Sequence, residues 1–206
     1  MNTRLSSIFS IICDLVLPPR ATELVVRALT LDDLRSARSV DTGSLPYHDK
    51  SATALVWEVK YYANRRAVGL CGAFIAEILM DIATEELGKP LLIPVPMHPA
   101  RRKKRGHNQT ELLCESALRQ VHDLYDYQPR ALARVADTPP QQGLPSAKRR
   151  VNLHKTMNVL DKERIAGRVC VVVDDVSTTG ATFREATRAL KKAGARKVHC
   201  VALAQS

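Results

Sequence analysis

Apolar residues recur along the chain at two different spacings, which predict alternating helices and strands. Helical spacing runs through residues 51–62, 66–87 and 108–121. Unbroken apolar runs at 91–95 and 170–173 are typical of strands that are covered on both faces. This alternation predicts an α/β fold with a mostly parallel sheet.

The C-terminal third predicts one complete strand–helix–strand unit. After the strand at 170–173, a second strand is predicted at 197–203, and Gly194 marks the end of the helix between them. The apolar stripe of that helix comprises Phe183, Ala186, Ala189, Leu190 and Ala193. Parallel strands joined in this way build doubly wound sheets, so we expect one of about five strands.

The first 44 residues predict a helical extension ahead of a domain at 45–206. Within it, residues 5–17 predict a short amphipathic helix that packs on the domain or on a partner, with contact to a membrane surface as the less favoured alternative. Asp14 interrupts this apolar run, and no small-residue cleavage site follows before Pro18. We therefore expect neither a signal peptide nor a transmembrane segment here.

Composition and charge fit a globular protein with an anionic ligand. The 206 residues are 45% hydrophobic and 25% charged, which is ordinary for one substantial domain. A net charge of +10 favours polyanions, whether small phosphates or nucleic acid. Three Phe, five Tyr and one Trp provide little material for a surface that stacks single-stranded bases.

The five cysteines are widely scattered and include no closely spaced pair, which excludes a zinc ribbon or a disulfide framework. We expect Cys71, Cys114, Cys170 and Cys200 to act as small hydrophobic residues. Free thiols suit a reducing compartment, so the chain is predicted to be cytoplasmic.

The most informative segment follows the strand at 170–173. Asp174 and Asp175 stand at its carboxyl end, where ligands of open α/β sheets bind, and we expect both carboxylates to face solvent. The next residues lead straight into a helix, whose unpaired backbone N–H groups attract anions. They are Ser177, Thr178, Thr179, Gly180, Ala181 and Thr182. The pattern predicts a ribose-phosphate site rather than an ordinary Asp/Thr-rich turn, and no Walker or dinucleotide glycine motif is present.

Residues 170–182 resemble the signature with which type I phosphoribosyltransferases bind 5-phosphoribosyl-1-pyrophosphate (PRPP). The resemblance implies that Asp174 and Asp175 are the catalytic carboxylates, which hold the ribose and Mg²⁺, the latter through water or the ribose. It also implies that the loop from Ser177 to Thr182 holds the 5-phosphate. Thr178 stands where many purine-salvage relatives carry Asp, so simple purine salvage is not implied.

A basic run, Arg101 to Arg105, crowds the segment 96–108, which we predict to be a loop. In isolation such a run is usually a solvated face or a nonspecific contact for nucleic acid. Because this segment leaves the carboxyl end of a neighbouring strand, it opens on the same rim as the Asp174 loop. We therefore predict that His98, Arg101 and Arg105 bind the pyrophosphate of PRPP.

Further motifs narrow the resemblance to the ComF family over residues 45–206. They lie at 95–99, 106–109, 138–141 and 174–182. ComF proteins are phosphoribosyltransferase-like, and some are associated with natural competence and uptake of single-stranded DNA. The resemblance thus adds single-stranded DNA, competence proteins and a homodimer to the partners to test. The four-cysteine zinc module with which many members begin is absent, so no zinc is expected.

Residues 138–158 predict a long polar loop that contains Lys148, Arg149 and Arg150. In type I phosphoribosyltransferases a flexible loop in the comparable place closes over the active site, and the resemblance implies that role here. The alternative is a surface hairpin with a charged face.

These features predict Mg²⁺-dependent transfer of the 5-phosphoribosyl group from PRPP to an unidentified acceptor, with release of pyrophosphate. The alternative keeps the fold without the reaction. In that case the chain is a PRPP-binding or single-stranded-DNA-handling accessory protein.

Overall fold

The computed structural model describes residues 19–134 and 156–206. Its helices are α1 Ala21–Ala28, α2 Leu31–Ala37, α3 Lys50–Tyr62, α4 Arg65–Glu85, α5 Pro99–Arg105, α6 Gln109–Val121, α7 Lys162–Ile165 and α8 Ala181–Lys192. Its strands are β1 Leu45–Pro46, β2 Leu91–Pro94, β3 Asp126–Tyr127, β4 Leu132–Arg134, β5 Met157–Val159, β6 Val169–Ser177 and β7 Lys197–Gln205.

Five strands form a parallel sheet in the order β1-β7-β6-β2-β3, which confirms the predicted sheet. Strand β6 lies at its centre, where Val173 pairs with Pro94 on one side and Val201 on the other. The pairing of β6 with β7 continues to Ser177. Strand β6 therefore extends beyond the predicted run and includes both carboxylates. Strands β4 and β5 form a separate antiparallel pair.

Helices cover both faces of the sheet, as a doubly wound fold requires. Val171 and Val173 join the core cluster that contains the buried side chains of α1, α2, α3, α4 and α6. Cys170 and Val172 point to the other side, where they pack with α8 and the β4–β5 hairpin. Because successive side chains of β6 point to opposite faces, the strand contributes residues to two separate cores.

The prediction of a loop at 96–108 is wrong in part, because Pro99–Arg105 forms a short helix. The His98 ring accepts a hydrogen bond from the Ala100 N–H, and Pro99 occupies the first helical position, which its fixed φ favours. Asn108 then caps α6, since its side-chain oxygen accepts from the Thr110 N–H. The basic residues consequently have fixed helical positions.

Among the described residues, one helix, α4, has the length and the apolar composition that could span a membrane. Seven of its residues are buried inside the protein, which is typical of a core helix. Gly72 of α4 lies against Ser116 of α6, so closely that a Cβ at this glycine would overlap the serine side chain. The two helices approach each other at this glycine.

Helices α1 and α2 belong to the same core as the domain, since Val26 and Leu34 are buried in the larger cluster. The boundary at residue 44 stays a prediction, and the amphipathic helix predicted at 5–17 lies outside the described residues. Three predicted hydrophobic thiols, Cys71, Cys114 and Cys170, are buried. The expectation for Cys200 is wrong, because this residue of β7 is exposed.

Candidate functional site

A cleft of about 240 Å³ opens at the carboxyl ends of β2 and β6. Six residues predicted from the sequence line it, namely His98, Arg101, Arg105, Asp174, Asp175 and Thr182. They meet because parallel neighbouring strands end on the same rim of a sheet. Lys60, Asn108, Gln109 and Arg134 complete its polar lining.

Both carboxylates are buried, with 7% of Asp174 and 6% of Asp175 exposed, so the expectation that they face solvent is wrong. The reason is the longer strand: pairing with β7 keeps this part of β6 inside the sheet. The Asp175 N–H donates to Asp174 Oδ1 at 2.9 Å, and the Val176 N–H donates to Asp175 Oδ1 at 2.9 Å. Each carboxylate therefore has one oxygen bound to the backbone.

Successive strand residues point to opposite faces, and the two carboxylates accordingly have different cations beside them. Burial and the charge of Asp175 raise the pKa of Asp174 well above its ordinary value, while Arg134 at the end of β4 acts in the opposite direction. Asp175 Oδ2 is buried with no hydrogen-bond partner among the described residues. The ammonium of Lys60 lies 4.0 Å from this oxygen, which is an ionic contact too long for a hydrogen bond.

The cations of α5 divide between two faces of the helix. The side that faces the cleft carries Arg101 and Arg105, which follow His98 by three and seven positions and therefore lie on the same side as His98. Arg102 points elsewhere and donates to Glu111 Oε1 at 2.6 Å. Arg105 donates to Gln109 Oε1 at 3.0 Å, and its guanidinium lies 5.1 Å from the ring centroid of Tyr61.

The predicted phosphate loop joins β6 to α8. Ser177 is the last residue of β6 and is buried, whereas Thr178 is exposed. The Thr179 carbonyl accepts a hydrogen bond from Arg184 Nη1 at 2.7 Å. Gly180 precedes the helix with φ +67°, a left-handed conformation that favours glycine, and no side chain caps the helix. Ala181 begins α8, and Thr182 reaches the cleft.

Sequence reasoning missed Lys60 and Arg134 as residues of this site. Lys60 lies in a helix more than a hundred residues before Asp175, and Arg134 ends a three-residue strand. Lys60 and Tyr61 fit the ComF resemblance, but the sequence assigned Lys60 no role, and it carries no signal for Arg134. Lys148, Arg149 and Arg150, predicted for the flexible loop, lie outside the described residues.

The expectation that the chain holds no zinc stays a prediction. Among residues 19–134 and 156–206, no three His, Cys, Asp or Glu side chains come together as a metal-binding group.

Comparisons with known proteins agree with this architecture. The phosphoribosyl transferase domain family matches residues 65–206. The DNA utilization protein YhgH of Escherichia coli O157:H7 is 33% identical over 146 residues, which cover 70% of this chain and 63% of that protein. Competence protein F of Haemophilus influenzae is 34% identical over 125 residues, or 60% of this chain and 54% of that protein. The matched regions thus span less than two thirds of these relatives.

Solved structures with a similar fold include a glutamine PRPP amidotransferase from B. subtilis, at 18% identity and a TM-score of 0.42, covering 72% of this chain and 30% of that one. A hypoxanthine phosphoribosyl transferase of Trypanosoma cruzi has 15% identity and a TM-score of 0.44, covering 68% and 65%. Both scores are below 0.5, so assignment rests on the family match and the sequence relatives. These relatives confirm the resemblance to ComF proteins, and the chain belongs to the phosphoribosyl transferase domain family.

Proposed function

We propose that this protein binds PRPP in the cleft and, with Mg²⁺, transfers the 5-phosphoribosyl group to an acceptor. One observation carries the proposal: a buried carboxylate pair lies between an uncapped helix start and a helix face that presents cations. This order of groups matches the order of chemical groups in PRPP, which are a phosphate, a sugar with hydroxyls, and a pyrophosphate.

The 5-phosphate would bind at the start of α8. The first N–H groups of a helix have no partner within it, and Gly180 has no side chain to cap them. Backbone donors together with the hydroxyls of Ser177, Thr178, Thr179 and Thr182 supply hydrogen bonds to an anion. Ala181 contributes its backbone alone.

The pyrophosphate would bind along α5. When the bond between C1 of the ribose and the pyrophosphate oxygen breaks, its electron pair leaves with the pyrophosphate, whose charge increases. His98, Arg101 and Arg105 stand on the cleft side to stabilise this charge. The lone pair of the acceptor forms the new bond to C1, and a proton on the acceptor nucleophile is lost to solvent or base.

The ribose hydroxyls and the metal would contact Asp174 and Asp175. Mg²⁺ prefers oxygen ligands, and Asp175 Oδ2 is a buried carboxylate oxygen with no hydrogen-bond partner in the described ranges, so the residues fit this ion. When bound, Mg²⁺ would neutralise part of the pyrophosphate charge. Asp174 and Asp175 orient the sugar and its metal shell, and catalysis then rests on positioning and charge stabilisation.

Two further parts of the proposal concern the predicted flexible loop and the cellular compartment. Lys148, Arg149 and Arg150 would approach the bound substrate on a loop that excludes water. We place the reaction in the cytoplasm, since the free thiols of Cys71, Cys114 and Cys170 suit a reducing compartment.

Calorimetric titration with PRPP in the presence of Mg²⁺ tests the proposal. We expect saturable binding that disappears when the metal is removed. A panel of bases and other nucleophiles, assayed for pyrophosphate release, then identifies the acceptor. Absence of PRPP binding by folded protein would contradict the proposed function.

A second candidate is an accessory protein that binds PRPP and handles single-stranded DNA without catalysis. The ring centroids of Trp57 and Tyr61 on α3 lie 4.7 Å apart, the two residues are 43% and 44% exposed, and Arg105 lies beside the Tyr61 ring. Exposed rings next to cations are typical of surfaces that stack bases. Although aromatic residues are few, two exposed ones lie together here, and the relatives are named for DNA utilization and competence.

The salt dependence of binding separates the two candidates. Contact with many phosphates of a polynucleotide weakens steeply between low and moderate salt, whereas PRPP binding depends mainly on the metal. For an accessory role, competence proteins or a second copy of this chain would be the protein partners to seek.

A further inference from the structure

Lys60 reaches the cleft from outside the region that the family matches. It belongs to α3, which ends at Tyr62, whereas the match begins at residue 65. Its ammonium lies 4.0 Å from Asp175 Oδ2 and 6.0 Å from the ring centroid of Tyr61. Neither distance is a close contact, and the side chain is 32% exposed. Lys60 is therefore held loosely between a carboxylate and an aromatic ring.

The negative charge of Asp175 explains why the Lys60 ammonium lies beside it. Burying a carboxylate without compensation is costly, and Oδ2 accepts no hydrogen bond from the described residues. Lys60 supplies positive charge at this oxygen without a hydrogen bond. A divalent cation that approached Oδ2 would compete with the Lys60 ammonium for this oxygen and would have to displace it.

The ring of Tyr61 lies near a second cation of the cleft, Arg105. The Arg105 guanidinium is 5.1 Å from the centroid of the same ring. A small movement of the flexible Lys60 side chain along this ring would take it from Asp175 toward the face of α5 where anions are expected. The ring thus connects the carboxylate side of the cleft to its pyrophosphate side.

We propose that Lys60 is a charge-exchange residue. In the unloaded site it is the counter-ion of Asp175, and when a divalent cation occupies Asp175 it pairs with the pyrophosphate instead. The second half of this statement rests on the proposed function, whereas the first half does not. Removing the Lys60 charge should therefore affect the two ligands in opposite directions.

The first experiment measures Mn²⁺ binding to the free protein by electron paramagnetic resonance, with Mn²⁺ in place of Mg²⁺ and no PRPP. Lys60→Met keeps the length of the side chain and removes its charge. We expect Mn²⁺ to bind about three to ten times more tightly, as removal of a partly exposed ionic competitor allows. Lys60→Arg should stay near wild type, and Lys103→Met, an exposed cation of α5, is the matched control.

The second experiment measures PRPP binding with saturating Mg²⁺ by calorimetry. Here Lys60→Met should weaken binding by about three- to tenfold, while Lys103→Met changes it little. Equal melting temperatures would exclude a folding defect, and Lys60→Gln replaces Lys60→Met if the latter does not fold.

The outcomes separate the two proposals. Unchanged or weaker Mn²⁺ binding in Lys60→Met, or no Mn²⁺ binding by either protein, would overturn the pairing of Lys60 with Asp175. PRPP binding that is unchanged or tighter in Lys60→Met would overturn the exchange. If wild-type protein does not bind PRPP at all, the proposed function fails, and the Mn²⁺ result still decides the role of Lys60 in the unloaded site.

Discussion

The guanidinium of Arg20 donates two hydrogen bonds to the carboxylate of Glu58, at 3.0 and 2.8 Å. Thr22 and Asn64 donate to the same carboxylate, at 2.6 and 3.1 Å, and the Glu58 side chain is fully buried. Four donor groups from two segments thus converge on one charge. This relationship fixes the chain ahead of α1 to helix α3, which carries Lys60.

We expect Glu58→Gln to destabilise the fold by about 2 kcal/mol, a value reduced because Arg20 is 40% exposed. Burial alone would raise the pKa of Glu58, but hydrogen bonds from Arg20 and Thr22 outweigh it and lower the pKa. The carboxylate therefore stabilises the fold above its unfolded-state pKa, and this stability is lost as the pH falls through the lower folded-state pKa. Urea unfolding at pH 7 and at pH 3 should show the difference from wild type shrinking in acid.

Glu163→Gln, on the exposed surface of α7, is the control for the Glu58 substitution. It should leave the free energy of unfolding unchanged at both pH values. A Glu58→Gln protein as stable as wild type at pH 7 would contradict the role assigned to this carboxylate.

Asp174→Asn should stabilise the protein, in contrast to most substitutions in a buried strand. Burial and the neighbouring Asp175 charge raise the pKa of Asp174, so the folded state favours its protonated form. Wild-type stability consequently falls as the pH rises from the unfolded-state pKa through the raised one. Asn carries no charge, and we expect a gain of about 1 to 2 kcal/mol, or roughly 3 to 6 °C, at neutral pH. Melting curves from pH 4 to 8 should show this gain growing with pH; a loss of stability at pH 8 would refute it.

The double substitution Asp174→Asn with Asp175→Asn should abolish Mg²⁺-dependent PRPP binding while the fold persists. Each charge-assisted hydrogen bond contributes about 1.5 to 3 kcal/mol, so affinity should fall by at least about a hundredfold. Calorimetry measures the loss, and circular dichroism checks the fold. Unchanged affinity in a folded double variant would place the PRPP site elsewhere.

Alanine substitutions at two glycines of α4 should change the stability of the protein in opposite directions. Gly72→Ala would push a methyl group into Ser116 and should cost about 1 to 3 kcal/mol through overpacking between α4 and α6. At Gly69 nothing lies within 4 Å of an added Cβ, so Gly69→Ala should gain up to about 1 kcal/mol from helix propensity. Thermal unfolding of both variants measures the contrast, and equal effects would show that α4 and α6 do not depend on this close approach.

Metal removal should leave the melting temperature of the purified protein unchanged. The first 60 residues contain only Cys13 and His48 as nitrogen or sulfur ligands, which is too few for a structural zinc site. Metal binding energy is then not coupled to folding. Stoichiometric zinc, lost together with stability on treatment with a chelator, would disprove this expectation.

The sequence predicted the parts of the fold that depend on long apolar runs. The apolar segments of β2 and β6 read as buried strands, and because parallel strands end on one rim, the Asp174 loop and the basic run could be assigned to one cleft. Helix α5 could not be predicted from periodicity, since it contains almost no apolar residues and depends on the cap from His98. Strands β1 and β3 are two residues long, too short for any pattern.

Burial of the carboxylates and the position of Lys60 depend on contacts that are distant in sequence. Asp174 and Asp175 are enclosed because β7 extends to Gln205, and a strand end cannot be located to within two residues from sequence alone. Lys60 meets Asp175 through the packing of α3 against the sheet. No local pattern encodes that packing.

The alternation of β6 has a consequence for how such a site can evolve. Asp174 and Asp175 are adjacent in the chain, yet one has Arg134 of the hairpin beside it and the other has Lys60 of α3. Substitutions in α3 can therefore change the charge beside Asp175 while Arg134 stays in place beside Asp174. Because the charge of Asp175 acts on Asp174, a change made in either layer would reach both carboxylates, and a lineage could adjust the pair from two separate parts of the molecule.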